Sequence, residues 1–312
     1  MTIAPKYIGV DIAKNWIDVF DPETATAQRI PASRAGLRAF AKSGAGKLVV
    51  FEASGGYERP LAEALAAQNQ PYARVNPRQA REFARATGRL AKTDRVDAEM
   101  LAQMGAALRL SPTPPPDKTL AELADMLARR EDIKAMMLAE NNRLKQARLA
   151  CVARDIRSVL AHLARRLALL EAGIQQHVQA HKPLRAAAAR LQTMPGIGPI
   201  LSAALIAGLP ELGQMDRREI AALSGLAPHA RDSGLFKGKR RIWGGRAHVR
   251  RALYLAAFIA SRYDPTLKAF RNRLQDAGKP TKTALIATAR KLVTILNAMM
   301  KNNVDYRKSA AS

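Results

Sequence analysis

Four carboxylates in the first third of the chain stand where metal-dependent phosphodiester chemistry would need them. They end a strand pattern or fall in the first turn of a helix pattern, and they are Asp11, Glu52, Asp94 and Asp97. Asp94 and Asp97, three residues apart, project from one helix face. Oxygen ligands select Mg²⁺, with Mn²⁺ as the alternative ion, and two such ions can bind the attacking and leaving oxygens. Each carboxylate alone is explained as well by a helix cap or a solvated strand end. Only their combination predicts a metal site.

A candidate nucleophile, Ser233, lies far down the chain in HARDSGLFKGKRRIWGGRAHVRR (229–251), called here the serine segment. The segment is typical of a loop that runs into a basic helix. A seryl hydroxyl can attack phosphorus when cations stabilise the transferring group. An ordinary turn serine is the alternative that composition alone favours. The basic residues of the segment are candidate phosphate contacts, and they are Lys237, Lys239, Arg240, Arg241, Arg246, Arg250 and Arg251.

Two other side chains of the serine segment have two interpretations each. His229 could act as a base near Ser233, although a solvated loop histidine is the simpler interpretation. Trp243 could stack on a nucleic-acid base or fill a core, and core filling is slightly favoured.

The charge of the chain indicates a polyanionic partner. The formal net charge of the 312 residues is +25, and residues 191–312 hold 21 basic against 7 acidic residues, which is +14 of that total. Nucleic acid is favoured over an anionic membrane, because no apolar run approaches the ~18 residues of a spanning helix and no signal peptide is evident. Cys151 is the single cysteine. An internal disulfide and a thiolate zinc site are therefore excluded, and a cytoplasmic location is expected.

Residues 1–110 are predicted to form an α/β domain. Short strand patterns and helical patterns alternate along it, with strands expected near 7–13, 16–20, 26–31, 47–53 and 71–75. Three meandering strands followed by alternating helices and strands is the order of a RuvC/ribonuclease H-like fold. That order places Asp11 on the first strand and Glu52 at the end of the fourth.

Residues 111–190 are predicted to form a linker and a helical region. The segment SPTPPPD (111–117) cannot continue a helix, because proline lacks the amide and clashes with the preceding turn. Further on, apolar residues recur at alternating steps of three and four, at Leu160, Leu163, Leu167, Leu170 and Ile174, with polar His177 at the next position. This spacing indicates a coiled coil or one side of a helical bundle. Either structure needs a partner helix, from this chain or another.

Residues 191–312 are predicted to be mainly helical, with long helices over 246–262 and 281–300. They open with LQTMPGIGPILSAALIAGL, in which Gly196 and Gly198 lie in a turn between two helices. This pattern is typical of a helix-hairpin-helix, whose glycines let backbone amides approach a phosphate. A plain interhelical turn is the alternative.

Several segments together carry a resemblance to a family that spans nearly the whole chain. They are YIGVDIAK, VVFEASGGYERPLAEAL, VNPRQAREFARATGRLAKTDRVDAEMLA, MPGIGPILSAALI and LSGLAPHARDSGLFKGKRRIWGGRAHVRRALYLAA. In this order they resemble the transposases of the IS110 and IS1111 family of insertion sequences. The resemblance implies a RuvC-like domain with an Asp-Glu-Asp-Asp tetrad, a coiled coil, and a C-terminal transposase domain with a catalytic serine. The tetrad matches Asp11, Glu52, Asp94 and Asp97, and the serine matches Ser233. The family's serine loop varies, and this chain has Asp232 before the serine and Leu235-Phe236 after Gly234.

What the resemblance implies about function is a Mg²⁺-dependent DNA recombinase that works through a covalent phosphoserine intermediate. Its partners would be double-stranded DNA at the element ends and the target, a structured guide RNA from the element, and further copies of the chain in a dimer or tetramer. The tetrad and the serine would meet in one composite site. One alternative is a RuvC-like endonuclease or Holliday junction resolvase, in which Ser233 is incidental. Another is a non-catalytic nucleic-acid-binding protein with a decayed nuclease domain.

Overall fold

The computed structural model describes residues 6–43, 46–88, 94–115, 117–229, 232–233, 236–237 and 240–307. The chain divides into two compact units, Met1–Pro116 and Asp117–Ser312. The division falls within the proline-rich segment 111–117. The further division predicted near residue 190 stays a prediction.

The N-terminal unit alternates strands and helices, as its hydrophobic patterns predict. Its elements in chain order are β1 (Lys6–Ile12), β2 (Trp16–Asp21), β3 (Thr26–Pro31), α1 (Arg34–Ser43), β4 (Lys47–Glu52), α2 (Arg59–Ala66), β5 (Tyr72–Val75), α3 (Pro77–Ala86) and α4 (Asp94–Leu108). The strands form one mixed sheet in the order β3-β2-β1-β4-β5. β1, β2 and β3 pair antiparallel, whereas β4 pairs parallel to both β1 and β5.

Helices cover both faces of this sheet, because alternate residues of the central strands are apolar on each side. On one face, Val10 and Val49 belong to a buried cluster with residues of α1 and α2, such as Phe40. On the other face, Val50 belongs to a second buried cluster with residues of α3 and α4, such as Leu101. The face that α4 covers is the one that carries the candidate carboxylates.

The C-terminal unit is mainly helical, so the predicted order of an α/β part followed by helices is confirmed. Its elements are α5 (Lys118–Gln146), α6 (Ala150–Ala180), α7 (Lys182–Gln192), α8 (Pro199–Gly208), α9 (Arg217–Leu223), β6 (Pro228–His229), β7 (Asp232–Ser233), β8 (Phe236–Lys237), β9 (Arg241–Ile242), α10 (Ala247–Tyr263), α11 (Pro265–Asp276) and α12 (Thr281–Asn302). The four short strands pair as β6 with β9 and β7 with β8. The sequence patterns did not predict these strands.

α5 is the partner helix that the leucine pattern of α6 requires. The two long helices pack along each other after a connection of three residues. Ile174 is fully buried, and the Arg130 guanidinium donates to the Glu171 carboxylate at 2.6 Å. Nearer the N-terminus of α6, Leu160, Leu163 and Leu167 are only half-buried, because in a pair of helices each helix covers only one side of the other.

α12 lies at the centre of the helical core. By length and composition it is the one helix among the described residues that could cross a membrane. Its apolar residues, including Leu292 and Leu296, are buried against helices of the same unit. Asn297 on this helix accepts from the Gly213 amide at 2.8 Å and donates to the Met215 carbonyl at 2.9 Å. These contacts are those of a core helix.

Candidate catalytic centre and nucleic-acid interface

Asp11 and Glu52 lie on neighbouring strands at the same edge of the sheet. In the parallel register of β1 and β4, Val10 pairs with Phe51, and each carboxylate is the next residue of its strand. Gly9 and Val50, two residues before each carboxylate, face α4. Because strand side chains alternate, Asp11 and Glu52 belong to that face too. Both side chains are half-buried.

The first turn of α4 lies at the same end of the sheet as Asp11 and Glu52. A Cβ added to Gly9 would meet the Ala98 carbonyl oxygen at 1.8 Å, so only a glycine lets α4 lie directly on β1. A Cβ added to Gly105 would meet the Tyr7 ring at 2.6 Å. α4 therefore runs antiparallel to β1, and its N-terminal turn lies at the Asp11 end. Half-buried Asp97 precedes Ala98 on this turn.

Asp11, Glu52 and Asp97 define the carboxylate face. α4 begins at Asp94, whose side chain lies outside the described part of the structure. The positive end of the α4 dipole favours carboxylates in its first turn. The oxygen-only donor set suits a hard divalent cation. Among the side chains that the structure describes, however, no three carboxylate, histidine or cysteine residues come close enough to hold a metal ion. The backbone thus brings the three to one place, but the described side chains do not form a closed cage.

A further carboxylate, which the sequence analysis missed, lies directly beside Asp11. Asp18 is the cross-strand partner of Asp11 in the antiparallel pair of β1 and β2, so both side chains share one face. Arg29, opposite Asp18 on β3, donates to both Asp18 carboxylate oxygens at 2.9 Å each. The guanidinium of Arg29 also lies over the Trp16 ring, 4.7 Å from its centroid. This bidentate pair compensates the Asp18 charge next to the carboxylate face. Asp18 could have been found only from the register between β1 and β2, which residue types alone do not reveal.

The loop that follows Glu52 is held by Glu58, which the sequence analysis also missed. The buried Glu58 carboxylate accepts from the amides of Ser54 at 3.0 Å and Gly56 at 2.8 Å. Burial raises the pKa of the Glu58 carboxyl, but its own backbone amide and those of Gly56 and Ser54 outweigh burial and hold the pKa below its ordinary value. Gly55 and Gly56 adopt positive φ angles of 66° and 111°, which close this loop tightly.

The structure places Ser233 in a short hairpin rather than an open loop. Ser233 ends β7 and pairs with Phe236 at the start of β8. Residues 234 and 235, which connect the two strands, lie outside the described residues, as do Lys239 and the side chains of Ser233 and Lys237. The predicted roles of these residues stay predictions.

Two of the candidate phosphate contacts bind oxygens of the protein itself. Arg246 makes a bidentate ion pair with Glu211, at 2.7 Å for both bonds, and donates to the Gly208 carbonyl at 2.9 Å. Burial raises the pKa of Glu211, but the hydrogen bond from Arg246 outweighs burial and the net pKa lies below its ordinary value. Arg250 donates to the Gly244 carbonyl at 2.7 Å. Arg240, Arg241 and Arg251 are exposed instead.

The two glycines of the predicted helix-hairpin-helix have different environments. α7 and α8 pack together across the turn that contains both. Gly196 has a φ of 87°, and an added Cβ would meet the Ala256 carbonyl at 2.8 Å and the Ala260 amide at 2.9 Å. Gly196 therefore permits close packing on α10. Gly198 is exposed, with open space around it, at the N-terminus of α8, where a phosphate could approach.

Trp243 and His229 form an exposed aromatic pair in the serine segment. Their ring centroids are 5.0 Å apart, and Trp243 is 46% exposed. The interpretation of Trp243 as a core residue is therefore wrong. Arg241, two residues earlier in the chain, is exposed as well.

Comparison with known proteins places both halves of the chain in one family. Residues 8–149 match the family model DEDD_Tnp_IS110, described as a transposase, and residues 188–272 match the model of the transposase IS116/IS110/IS902 family. The chain belongs to the IS110 family of transposases.

Relatives of this IS110-family transposase include proteins of two kinds. The pilin gene-inverting protein of Moraxella bovis is 28% identical over 316 residues, which cover 97% of this chain and 98% of that protein. An uncharacterized 42 kDa protein of insertion element IS900 from Mycobacterium paratuberculosis is 30% identical over 167 residues, covering 50% of this chain and 40% of that protein. An uncharacterized 43.6 kDa protein of IS110 from Streptomyces coelicolor is 31% identical over 139 residues, covering 44% and 33%.

Membership of this family establishes the class of activity. Transposases are enzymes of DNA recombination, so DNA is a partner of this chain. The match to a DEDD-type transposase model also indicates dependence on divalent metal ions.

Proposed function

We propose that this IS110-family chain is the serine recombinase of an insertion sequence, with divalent ions held by Asp11, Glu52, Asp94 and Asp97. The observation that carries the metal site is the β1 and β4 register, which puts Asp11 and Glu52 on one face at the end where α4 begins. The sheet order β3-β2-β1-β4-β5 supports a RuvC-like fold for the N-terminal unit.

The proposed chemistry conserves the energy of the phosphodiester bond in a covalent intermediate. The Ser233 hydroxyl oxygen attacks phosphorus, the bond from phosphorus to the leaving sugar oxygen breaks, and the proton of Ser233 passes to that sugar oxygen. The sugar hydroxyl oxygen of a second strand then attacks the phosphorus of the phosphoserine ester, and the bond from phosphorus to the Ser233 oxygen breaks. The proton of that hydroxyl passes to the Ser233 oxygen, which restores Ser233. No nucleotide hydrolysis and no redox partner are needed. Bound Mg²⁺, or Mn²⁺ in its place, would neutralise charge at the transferring phosphate.

Basic side chains of the serine segment would position the DNA for this reaction. Exposed Arg240, Arg241 and Arg251 are suited to phosphate contacts, and we extend that role to Lys237 and Lys239. The exposed ring of Trp243 is suited to stacking on an unpaired base, beside His229. Gly198 at the α8 N-terminus offers backbone amides to a phosphate. Arg246, Arg250 and Gly196 would support these contacts indirectly, through the packing described above.

A relative that inverts DNA favours strand exchange over simple hydrolysis. The Moraxella bovis relative is named for inverting a pilin gene, and an inversion must rejoin the strands that it cuts. By extension, we propose that this chain rejoins strands, acts in the cytoplasm as an oligomer, and takes its target choice from a structured RNA of its element. A junction resolvase remains the alternative, in which water attacks and Ser233 has no role.

The DNA product distinguishes the two reactions. Wild-type protein, Mg²⁺, and a labelled duplex carrying the element end should give a protein–DNA adduct that survives denaturation. Ser233→Ala should remove the adduct, whereas the matched control Ser158→Ala, an exposed serine on α6, should keep it. A free phosphate end without any adduct in the wild-type reaction would instead establish the resolvase.

RNA guidance needs a separate experiment. RNA that copurifies from cells carrying the whole element would be sequenced, its loops rewritten, and the insertion sites mapped. Insertion sites that move with the rewritten loops support guidance. Insertion at the original target would show that the protein itself reads DNA.

A further inference from the structure

We infer that the outer face of α3 is a binding site for a nucleic-acid backbone, next to the carboxylate face. This inference rests on the proposed action on nucleic acid and adds a site in the N-terminal unit. A surface groove of about 530 Å³ follows α3 and is lined by Asn76, Pro77, Arg78, Arg81, Glu82 and Arg85. Among the described lining residues, three arginines stand against one glutamate, which suits an anionic ligand.

The helical period explains why these arginines share one face. Ala80 is buried, and Phe83 and Ala84 are half-buried against the sheet cluster. Arg81 and Arg85, four residues apart, therefore point away from the sheet and are exposed.

The charges in the groove are unevenly compensated. Arg78 pairs with Glu82 at 2.8 Å, as residues i and i+4 of one helix. Arg81 and Arg85 make no ion pair with any carboxylate that the structure describes. Two guanidinium groups thus remain available to a ligand that brings its own negative charge.

The strand register connects the groove to the carboxylate face. Val75, the last residue of β5, pairs with Glu52 at the end of β4. The next residue, Asn76, accepts from the Arg78 amide at 2.8 Å and caps α3. The groove therefore begins at the sheet edge where Glu52 lies, on the sheet side that also carries α4.

The dimensions and charge of this arrangement fit a polynucleotide strand. From Arg78 to Arg85, α3 rises about 10 Å, which is about three nucleotides of one strand. The carboxylates repel a phosphate backbone, and an adjacent row of arginines offsets that repulsion just outside the metal site. A strand whose reacting phosphate lies at Asp11 and Glu52 can continue along α3.

A matched pair of variants tests this site in the full-length protein. Arg81→Gln/Arg85→Gln removes two exposed charges, four residues apart, from the groove. Arg34→Gln/Arg38→Gln removes two exposed charges with the same spacing from α1, on the opposite sheet face. Binding to a labelled DNA duplex, and separately to an RNA duplex of the same sequence, is measured in EDTA across a range of salt concentrations. The absence of metal makes the result independent of cleavage.

Arg81→Gln/Arg85→Gln should weaken nucleic-acid binding on the order of tenfold at low salt. On DNA, the slope of log binding constant against log salt concentration should become shallower by about 1.8, which is about 0.9 for each of the two lost phosphate contacts. A loss on DNA alone identifies the strand as DNA, and a loss on RNA alone identifies it as RNA. Arg81→Lys/Arg85→Lys should keep the wild-type slope. The inference is overturned if the glutamine variants of α3 and of α1 weaken binding equally. It is also overturned if Arg81→Lys/Arg85→Lys loses as much binding affinity as Arg81→Gln/Arg85→Gln. Neither outcome bears on whether the carboxylates support cleavage, which their own variants test.

Discussion

The carboxylate face and the serine segment rest on different kinds of backbone. Asp11 and Glu52 lie on β1 and β4, which are inner strands of a five-stranded sheet with a neighbour on each side. Ser233 lies on the short strand β7, which within the described part of the chain pairs with β8 alone. A site for metal ions needs donors whose positions are set in advance. The proposed nucleophile, Ser233, would have to reach a phosphate and later release it, which requires less support from a sheet.

The two regions also use charge differently. On the carboxylate face, one neighbouring charge is compensated by a dedicated partner, since Arg29 binds Asp18 through both oxygens. In the serine segment, Arg246 is bound to Glu211, while Arg241 is exposed. Basic residues that look alike in the sequence thus divide into those that hold the fold and those that can meet DNA. Four sets of variants test this difference between the two regions.

The largest effect is expected on the carboxylate face itself. Asp11→Asn, Glu52→Gln or Asp97→Asn should slow strand cleavage roughly a thousandfold, since each removes a ligand worth several kcal/mol of transition-state stabilisation. DNA binding should stay close to wild type. The variants should also lose any increase in melting temperature that Mg²⁺ gives the wild-type protein. Glu99→Gln, with the same charge change on α4, is the control. Wild-type cleavage by any two of the three variants would refute the metal site.

The next effect concerns the pair beside Asp11. Arg29→Gln should lower the cleavage rate about tenfold, as is typical when a residue that supports metal ligands is lost, because it leaves the Asp18 charge uncompensated. The double variant Asp18→Asn/Arg29→Gln should recover most of the rate, since both charges are then gone. A double variant that is as slow as Arg29→Gln would mean that Arg29 acts by another route.

A contrast between two arginines tests the division within the serine segment. Arg246→Gln should lower the free energy of unfolding by about 1–2 kcal/mol, between the values for exposed and buried ion pairs. Arg241→Gln should weaken DNA binding and leave unfolding unchanged. Denaturant unfolding and DNA titration of both variants measure this. The reverse assignment of the two effects would contradict the described contacts.

The Arg246 effect should depend on pH with a defined sign. The folded-state pKa of Glu211 lies below its ordinary value, so the stabilisation is present above the unfolded carboxyl pKa of about 4.3. It is lost as the pH falls through the lower folded-state pKa. The difference between wild type and Arg246→Gln should therefore shrink in acid.

The smallest effect is expected at the loop after Glu52. Glu58→Gln should cost about 1 kcal/mol of unfolding free energy at neutral pH, because the loop amides lose a charged acceptor. The pKa of Glu58 is lowered in the folded protein, so this difference should also diminish as the pH falls below the unfolded value and through the folded one. Glu63→Gln, an exposed carboxylate on α2, should change neither quantity. Equal losses of unfolding free energy from Glu58→Gln and Glu63→Gln would show that Glu58 does not stabilise the loop.

Local sequence patterns were sufficient to predict the strands of the N-terminal unit and to select the candidate metal ligands. Continuous apolar runs mark β1 and β4, because a strand buried on both faces must be apolar throughout. The first polar residue of such a run lies at or next to the end of the strand. Asp11 and Glu52 could be identified for that reason. The proline-rich segment near residue 111 marked the change from sheet to helices, since proline stops a helix locally. The need of α6 for a partner helix was equally visible in its leucine spacing.

The contacts between polar residues became known from the three-dimensional arrangement of the chain. The pairing of Asp18 with Arg29 depends on the register between two strands, and the pairing of Arg246 with Glu211 joins residues that lie far apart in the chain. The close approach of Gly196 to α10, and the exposure of Trp243, likewise depend on how helices pack. The α3 groove lies next to Glu52 because β5, which leads into α3, pairs with β4. Residue types and local spacing report the preferences of a segment, whereas such contacts arise from its neighbours in space, which local patterns do not encode.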